Sequence, residues 1–146
     1  MTVTFVELLD RIGERTPAPA SGAAAALTGA LAASLVELAA RFSEDDEALA
    51  RAAELRARLL ELADEDAEAY ADFMRTRSDE DRARTIEVPL AVAEAAAETA
   101  ALAERLAEHG RGSVRGDALV GAELAHAAGR SASLLVELNR GDGSRL

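Results

Sequence analysis

The segment GAAAALTGALAASLVELAARF, residues 22–42, carries two apolar stripes at helical spacing. One stripe consists of bulky side chains: Leu27, Leu31, Leu35, Leu38 and Phe42. The other consists of small residues spaced four apart: Ala25, Gly29 and Ala33. Small residues let the backbone of a second helix come close. The segment therefore predicts a long helix that packs tightly against other helices.

The same region invites a test as a membrane span, because residues 16–36 contain no charged side chain. Most of these residues are Ala, Gly, Ser and Thr, which gain little from lipid, and Pro17 and Pro19 stand at the start. We interpret the segment as a buried helix of a protein that does not enter a membrane. The first ten residues carry Glu7 and Asp10 and do not resemble a signal peptide, so we expect a cytoplasmic protein.

Periodicity predicts four further helices. They span about residues 4–13, 44–75, 79–109 and 117–139. Ser43, Ser78 and Asp117 are placed to cap the last three, and Pro89 predicts a kink inside the fourth helix of the chain. The fifth helix repeats the small stripe. Its members are Gly121, Ala125, Gly129 and Ser133.

No segment alternates with period two, so the sequence predicts no sheet. Short links between long helices favour an antiparallel, all-α bundle of about five helices. With 146 residues, the chain fits one domain, which we place at residues 1–140, followed by a flexible tail at residues 141–146.

Composition excludes several functions. The net charge of −11 argues against nucleic-acid binding, which needs clustered positive charge. The chain has no cysteine and no lysine, so thiolate and Schiff-base chemistry are excluded. The two histidines, His109 and His126, lie on different predicted helices and do not form a metal motif. We therefore expect no metal and no cofactor.

Asp66 and Tyr70 form a pair four residues apart on the third helix. Asp66 shares the register of Leu59, Leu62 and Phe73 and is expected to face inward on that pattern. A poorly solvated carboxylate there is suited to general-base work near neutral pH. The alternative, which the composition favours, is a solvated charge at the edge of the bundle, since this helix carries many carboxylates.

Five segments, in this order and spacing, resemble the cyclodeaminase/cyclohydrolase family. They are TPAPASGA at 16–23, DAEAY at 66–70, EVPLAVAE at 87–94, GDALVGA at 116–122 and LLVELN at 134–139. The family includes the C-terminal domain of formiminotransferase-cyclodeaminase and bacterial methenyltetrahydrofolate cyclohydrolases. The resemblance covers nearly the whole chain.

The resemblance implies an all-helical homodimer with sites near the subunit interface and a tetrahydrofolate substrate. The reaction would be loss of ammonia with ring closure, or addition of water to a methenyl carbon. The matched candidates for catalysis are Asp66, Asp117 and Tyr70. The candidates for substrate binding are Pro19, Ser21, Gly22, Arg111, Ser113, Arg115 and Asn139. Where the family has a run of glycines after the proline, this chain keeps one, Gly22.

Two other functions stay open. One is a catalytically inactive or repurposed dimeric bundle that binds another small molecule or a protein. The other is an enzyme on the same scaffold with a smaller substrate. Fold alone does not separate these from a folate enzyme. The first hypothesis needs a pocket with Asp66 or Asp117 beside the start of the Gly22 helix, where Arg111 or Arg115 would meet the glutamate tail of a folate.

Overall fold

The structure, a computed structural model, describes residues 2–141 and consists there of five α-helices and one short 3₁₀ turn, with no strand. The helices are α1 (Phe5–Gly13), α2 (Ser21–Phe42), α3 (Asp46–Thr76), α4 (Asp79–His109) and α5 (Arg115–Arg140), and the turn is Gly112–Val114. The predicted all-α class is confirmed. Of the expected tail, residues 142–146 lie outside the described residues.

Helix α2 lies at the centre of the bundle and contacts α3, α4 and α5. Its small residues are buried, and Gly29 is in close contact with Leu59 of α3 and near Ala128 of α5. The predicted small stripe is therefore the contact surface inside the chain. Helix α2 is long and apolar enough to cross a membrane. The apolar residues on its buried side are, however, explained by their packing against the other helices of the bundle.

The bulky stripe of α2 faces the other way. Leu31 is 55% exposed and Phe42 is 51% exposed, while Leu27 and Leu35 are only partly buried. These side chains do not form the core of one chain. Instead, the core is built from alanines of α2 against larger side chains of the neighbouring helices, such as Leu59, Leu62 and Val92.

Two of the expected helix caps are wrong. Asp45, not Ser43, caps α3, because its side chain accepts a hydrogen bond from the amide of Ala48. Helix α5 begins at Arg115, directly after the 3₁₀ turn. Asp117 therefore lies inside the first turn of α5 and is not its cap. In contrast, Ser78 caps α4 as predicted.

The antiparallel helices give the bundle two ends, which lie about 33 Å apart along the 22 residues of α2. At the Gly22 end, the start of α2 meets α3 near Asp66. At the Phe42 end, Ser43 accepts a hydrogen bond from the amide of Arg111, which precedes α5. Each predicted site residue can be assigned to one of these ends.

Helix α1 has a complete capping box, in which Thr4 and Glu7 bond each other's backbone amides. Only Leu8 of this helix is buried, and Phe5 is 71% exposed. Helix α1 therefore forms one wall of an open apolar groove, of about 620 Å³, whose other walls are α2 and α3. We call it the α1 groove.

Candidate functional site

Asp66 of α3 lies directly against the backbone of Gly22. A β-carbon built on Gly22 would overlap the carboxyl group of Asp66, so this contact requires glycine. Gly22 is the second residue of α2, and no side chain caps the start of that helix. The carboxylate therefore sits beside the positive end of the α2 dipole.

Burial raises the pKa of Asp66 to about 6 from its ordinary value of 3.8. Desolvation disfavours the charged form, and in the part of the chain that the structure describes no hydrogen bond or ion pair offsets this cost. At pH 7 the ionised form still outnumbers the protonated form by about ten to one. Asp66 can therefore accept a proton and return it near neutral pH. Of the two interpretations of Asp66, the structure supports the one in which it faces inward.

Three other predicted residues lie at the Gly22 end. Tyr70 is one turn beyond Asp66 on α3 and is partly buried. Pro19 is partly buried and follows a cis peptide bond, while Ser21 is exposed at the first position of α2. This end thus carries a carboxylate, a phenol and a hydroxyl, of which the carboxylate of Asp66 and the hydroxyl of Ser21 lie at the uncapped start of α2.

Asn139 also lies at the Gly22 end, but its side-chain amide is engaged inside the fold. Its Nδ2 donates a hydrogen bond of 2.8 Å to the carbonyl oxygen of Thr85. Pro89 has no N–H and leaves that carbonyl without its usual helical donor four residues on. Asn139 therefore repairs the gap that the proline opens in α4. Its predicted role in substrate binding remains a prediction.

Arg111, Ser113, Arg115 and Asp117 lie at the Phe42 end. The amide of Arg111 donates to Ser43 Oγ at 2.9 Å, and its guanidinium lies 3.5 Å from the carbonyl of Phe42. Ser113 and Arg115 are exposed, and Asp117 is partly buried. Because the length of α2 separates them from Asp66, one chain does not bring the two groups of predicted residues together.

A second groove runs between the start of α2 and the end of α5. We call it the α5 groove. It has a volume of about 380 Å³ and includes the hydroxyls of Ser21, Thr28 and Ser131. It lies on the outer side of α2, and Ala24 and Thr28 are shared with the α1 groove.

Sequence reasoning missed one buried charge. Glu37 of α2 is 5% exposed, and Arg56 Nε of α3 lies 2.9 Å from its carboxylate. The sequence feature that could have revealed it is a single acidic residue in an apolar helix, because burying a charge is costly unless the charge is paired. Within residues 2–141, no cluster of three His, Asp or Glu side chains could hold a metal ion.

The helical fold and the Asp66–Gly22 contact belong to a chain whose residues 4–143 match the model of the formiminotransferase-cyclodeaminase family. The chain is a member of that family. Its fold is similar to the crystal structure of formiminotetrahydrofolate cyclodeaminase from Thermotoga maritima, with a TM-score of 0.92 and 26% sequence identity. The match covers 98% of this chain and 81% of the other. No curated protein sequence matches the chain.

Proposed function

We propose that this chain is an enzyme of folate one-carbon metabolism that acts as a formiminotetrahydrofolate cyclodeaminase or a methenyltetrahydrofolate cyclohydrolase. The observation that carries the proposal is the partly buried carboxylate of Asp66 against the start of α2, in a chain of this family. We place the enzyme in the cytoplasm, as a homodimer.

Both reactions need a group that moves one proton beside an electrophilic carbon. In the deamination, a second folate nitrogen attacks the formimino carbon. Asp66 takes the proton of that nitrogen and delivers it to the departing ammonia. In the hydration, Asp66 takes a proton from the water that attacks the methenyl carbon and delivers it to the ring nitrogen as the carbon–nitrogen bond breaks. The remaining hydroxyl proton is released to solvent as the formyl C=O forms. Neither route calls for a cofactor beyond the folate itself.

The protein's other contribution is placement. Bare backbone at Gly22 lets the Asp66 carboxylate lie directly against the first turn of α2, which fixes the position of the group that moves the proton. Tyr70, one turn away, supplies a hydroxyl that can donate to a developing negative charge. Holding the reacting carbon near Asp66 in this way can account for a large part of a rate enhancement.

The second candidate is a repurposed bundle that binds a different small molecule. This candidate is favoured by Ala20 and Ser21, which carry side chains at positions where the cyclodeaminase/cyclohydrolase family typically has glycines. These side chains narrow the approach to the first turn of α2. A smaller ligand would tolerate this narrowing better than a folate.

A binding titration with 5-formyltetrahydrofolate separates the candidates. We expect micromolar binding by the parent chain, weakened at least tenfold in Asp66→Ala, and unchanged in the control Glu68→Gln, an exposed residue of the same helix. Ammonia release and consumption of a methenyl substrate are then assayed on the same samples. Absence of binding by a folded chain would reject the folate proposal and favour the second candidate.

The pH dependence of the active reaction supplies a further readout. Because the basic form of Asp66 is required, the rate should fall as the pH drops through about 6. A rate that stayed constant between pH 5 and pH 8 would assign the proton transfer to another group.

A further inference from the structure

The corner between α3 and α4 carries four arginines, which are Arg75, Arg77, Arg82 and Arg84. Three of them have polar partners: Arg75 and Arg84 pair with Asp72, and Arg82 donates a hydrogen bond to the carbonyl of Gly141. The side chain of Arg77 makes no hydrogen bond and no ion pair within residues 2–141. This side chain is exposed, so its charge is available to a ligand.

Arg77 ends α3, and a ring contact holds its side chain. Its backbone is left-handed, with φ of 55°, and its amide donates the closing hydrogen bond of α3 to the carbonyl of Phe73. The guanidinium lies over the ring of Phe73, 5.1 Å from the ring centre, and Phe73 is buried. Stacking uses the flat face of the guanidinium. The N–H groups at its edge remain able to bind a carboxylate.

This guanidinium lies on the same side of α3 as Asp66. At 3.6 residues per turn, Asp66, Tyr70 and Phe73 fall within about 60° of one another around the helix axis. Asp66 contacts Gly22, the second residue of α2. Residues 67–76 of α3 continue for about 15 Å past this contact, so α2 does not cover their side of α3.

The distance from Asp66 to this guanidinium fits the length of a folate. Phe73 is two turns from Asp66, about 10 Å along the axis. Summed bond lengths place the glutamate carboxyl carbons of an extended folate about 9–12 Å from the nitrogen that carries the aryl ring. That nitrogen takes part in both proposed reactions. A folate with its reacting carbon at Asp66 and its aryl ring directed past Tyr70 therefore ends with its carboxylates at Arg77.

We propose that Arg77 binds the glutamate tail of the substrate, in the same chain as Asp66. This inference rests on the proposed function and deepens it, because it names a residue that determines specificity for the tail. The sequence-based expectation for this role was Arg111 or Arg115. In one chain, both lie at the Phe42 end, whereas Arg77 and Asp66 belong to one helix.

The acidic side chains of the corner leave Arg77 able to act. Asp72 is already paired with two arginines, and Asp81 accepts hydrogen bonds from the hydroxyls of Thr76 and Ser78. The other acidic residues of the first turn of α4, Asp79 and Glu80, are exposed and favourable at a helix start. The net charge of −11 repels an anionic substrate at long range, so a positioned cation at the tail supports affinity.

Two ligands that differ only in the tail test the assignment. They are 5-formyltetrahydrofolate and 5-formyltetrahydropteroate, which lacks the glutamate. We expect the parent chain to bind the folate about tenfold more tightly than the pteroate. Arg77→Gln should weaken folate binding about tenfold and leave pteroate binding unchanged, so that the ratio of affinities falls to about one. Arg77→Lys keeps the charge without the planar fork and should retain a ratio of about three.

Arg75→Gln is the matched control, because Arg75 lies at the same corner but on the side of α3 opposite Asp66. This variant should keep the tenfold ratio, and so should Arg111→Gln. Thermal unfolding of each variant verifies that it is folded, which we expect because all three arginines are exposed.

A tenfold ratio that survives Arg77→Gln, or that is lost in Arg111→Gln instead, would overturn the proposal. Equal weakening of both ligands in Arg77→Gln would also overturn it, since the tail would not be what Arg77 binds. If the parent chain binds both ligands equally, this assignment fails and the folate proposal stands. If the parent chain binds neither, the folate proposal fails, and this assignment fails with it.

Discussion

Replacement of Asp66 by asparagine should stabilise the fold at high pH. The folded-state pKa of about 6 lies above the ordinary 3.8, so the folded state binds the proton more tightly than the unfolded state does. The stability associated with this group is fully present below pH 3.8 and is lost as the pH rises through about 6. At pH 8, the parent chain therefore bears the whole cost of an ionised carboxylate in a poorly solvated place.

The size of the effect follows from the two pKa values. Their difference corresponds to about 3 kcal/mol as an upper bound. Partial exposure of Asp66 lowers this to about 1–2 kcal/mol. Asparagine has nearly the same shape and no charge, so Asp66→Asn should recover this amount at pH 8 and less than about 1 kcal/mol at pH 4.

The assay is thermal or urea unfolding of the parent and the variant at both pH values. For a chain of this size, the expected gain at pH 8 is roughly 2–8 °C in Tm. Glu68→Gln, on the exposed side of α3, is the control for loss of a charge without loss of burial. A gain of equal size at pH 4 and pH 8 would refute the reasoning. A loss of stability at pH 8 would show instead that the start of α2 stabilises the anion by more than burial destabilises it.

Two further substitutions test the contacts around this site. Gly22→Ala places a methyl group where the Asp66 carboxyl lies, and should cost about 1–3 kcal/mol in urea unfolding and abolish folate binding; an unchanged free energy would show that α3 moves aside freely. Asn139→Ala leaves the Thr85 carbonyl without a donor and should cost about 1–3 kcal/mol, but less in a Pro89→Ala background, where the alanine N–H is the replacement donor. Equal costs in both backgrounds would contradict this account of Asn139.

The sequence predicted the helices well because their periodicity is strong. All five helices begin and end within about three residues of their expected bounds, and Pro89 lies inside α4 as expected. The caps at Ser43 and Asp117 were wrong for a local reason. Asp45, two residues after Ser43, caps α3 instead. A 3₁₀ turn precedes α5, so the helical backbone begins before Asp117. Capping rules say which residue types cap helices, but they do not decide between two suitable residues close together in the chain. That choice depends on contacts outside the helix.

The candidate site could be predicted only in its parts. Spacing along α3 indicated that Asp66 faces inward, but nothing local to α3 places it against Gly22, more than forty residues away. The family resemblance supplied Asn139 as a binding residue, yet its hydrogen bond to Thr85 follows from a proline on another helix. The predicted antiparallel order, taken with the helix bounds, already separates Asp66 from Asp117 along the bundle. Both residues were named as catalytic candidates because of the family resemblance, which does not take the helix order into account.

The bulky stripe of α2 shows why periodicity alone does not identify a core. Leucines at helical spacing predict that a surface is covered, but the pattern is the same whether the cover is another helix of the chain or another chain. In this fold, the alanine side of α2 fills the interior, since only small residues allow three neighbouring helices to approach it. The leucines then face outward. Removing their apolar surface from water would be favourable by about 25 cal/mol per Å² of buried area. Periodicity alone therefore does not tell the two stripes of α2 apart; the packing of α3, α4 and α5 on the alanine side does.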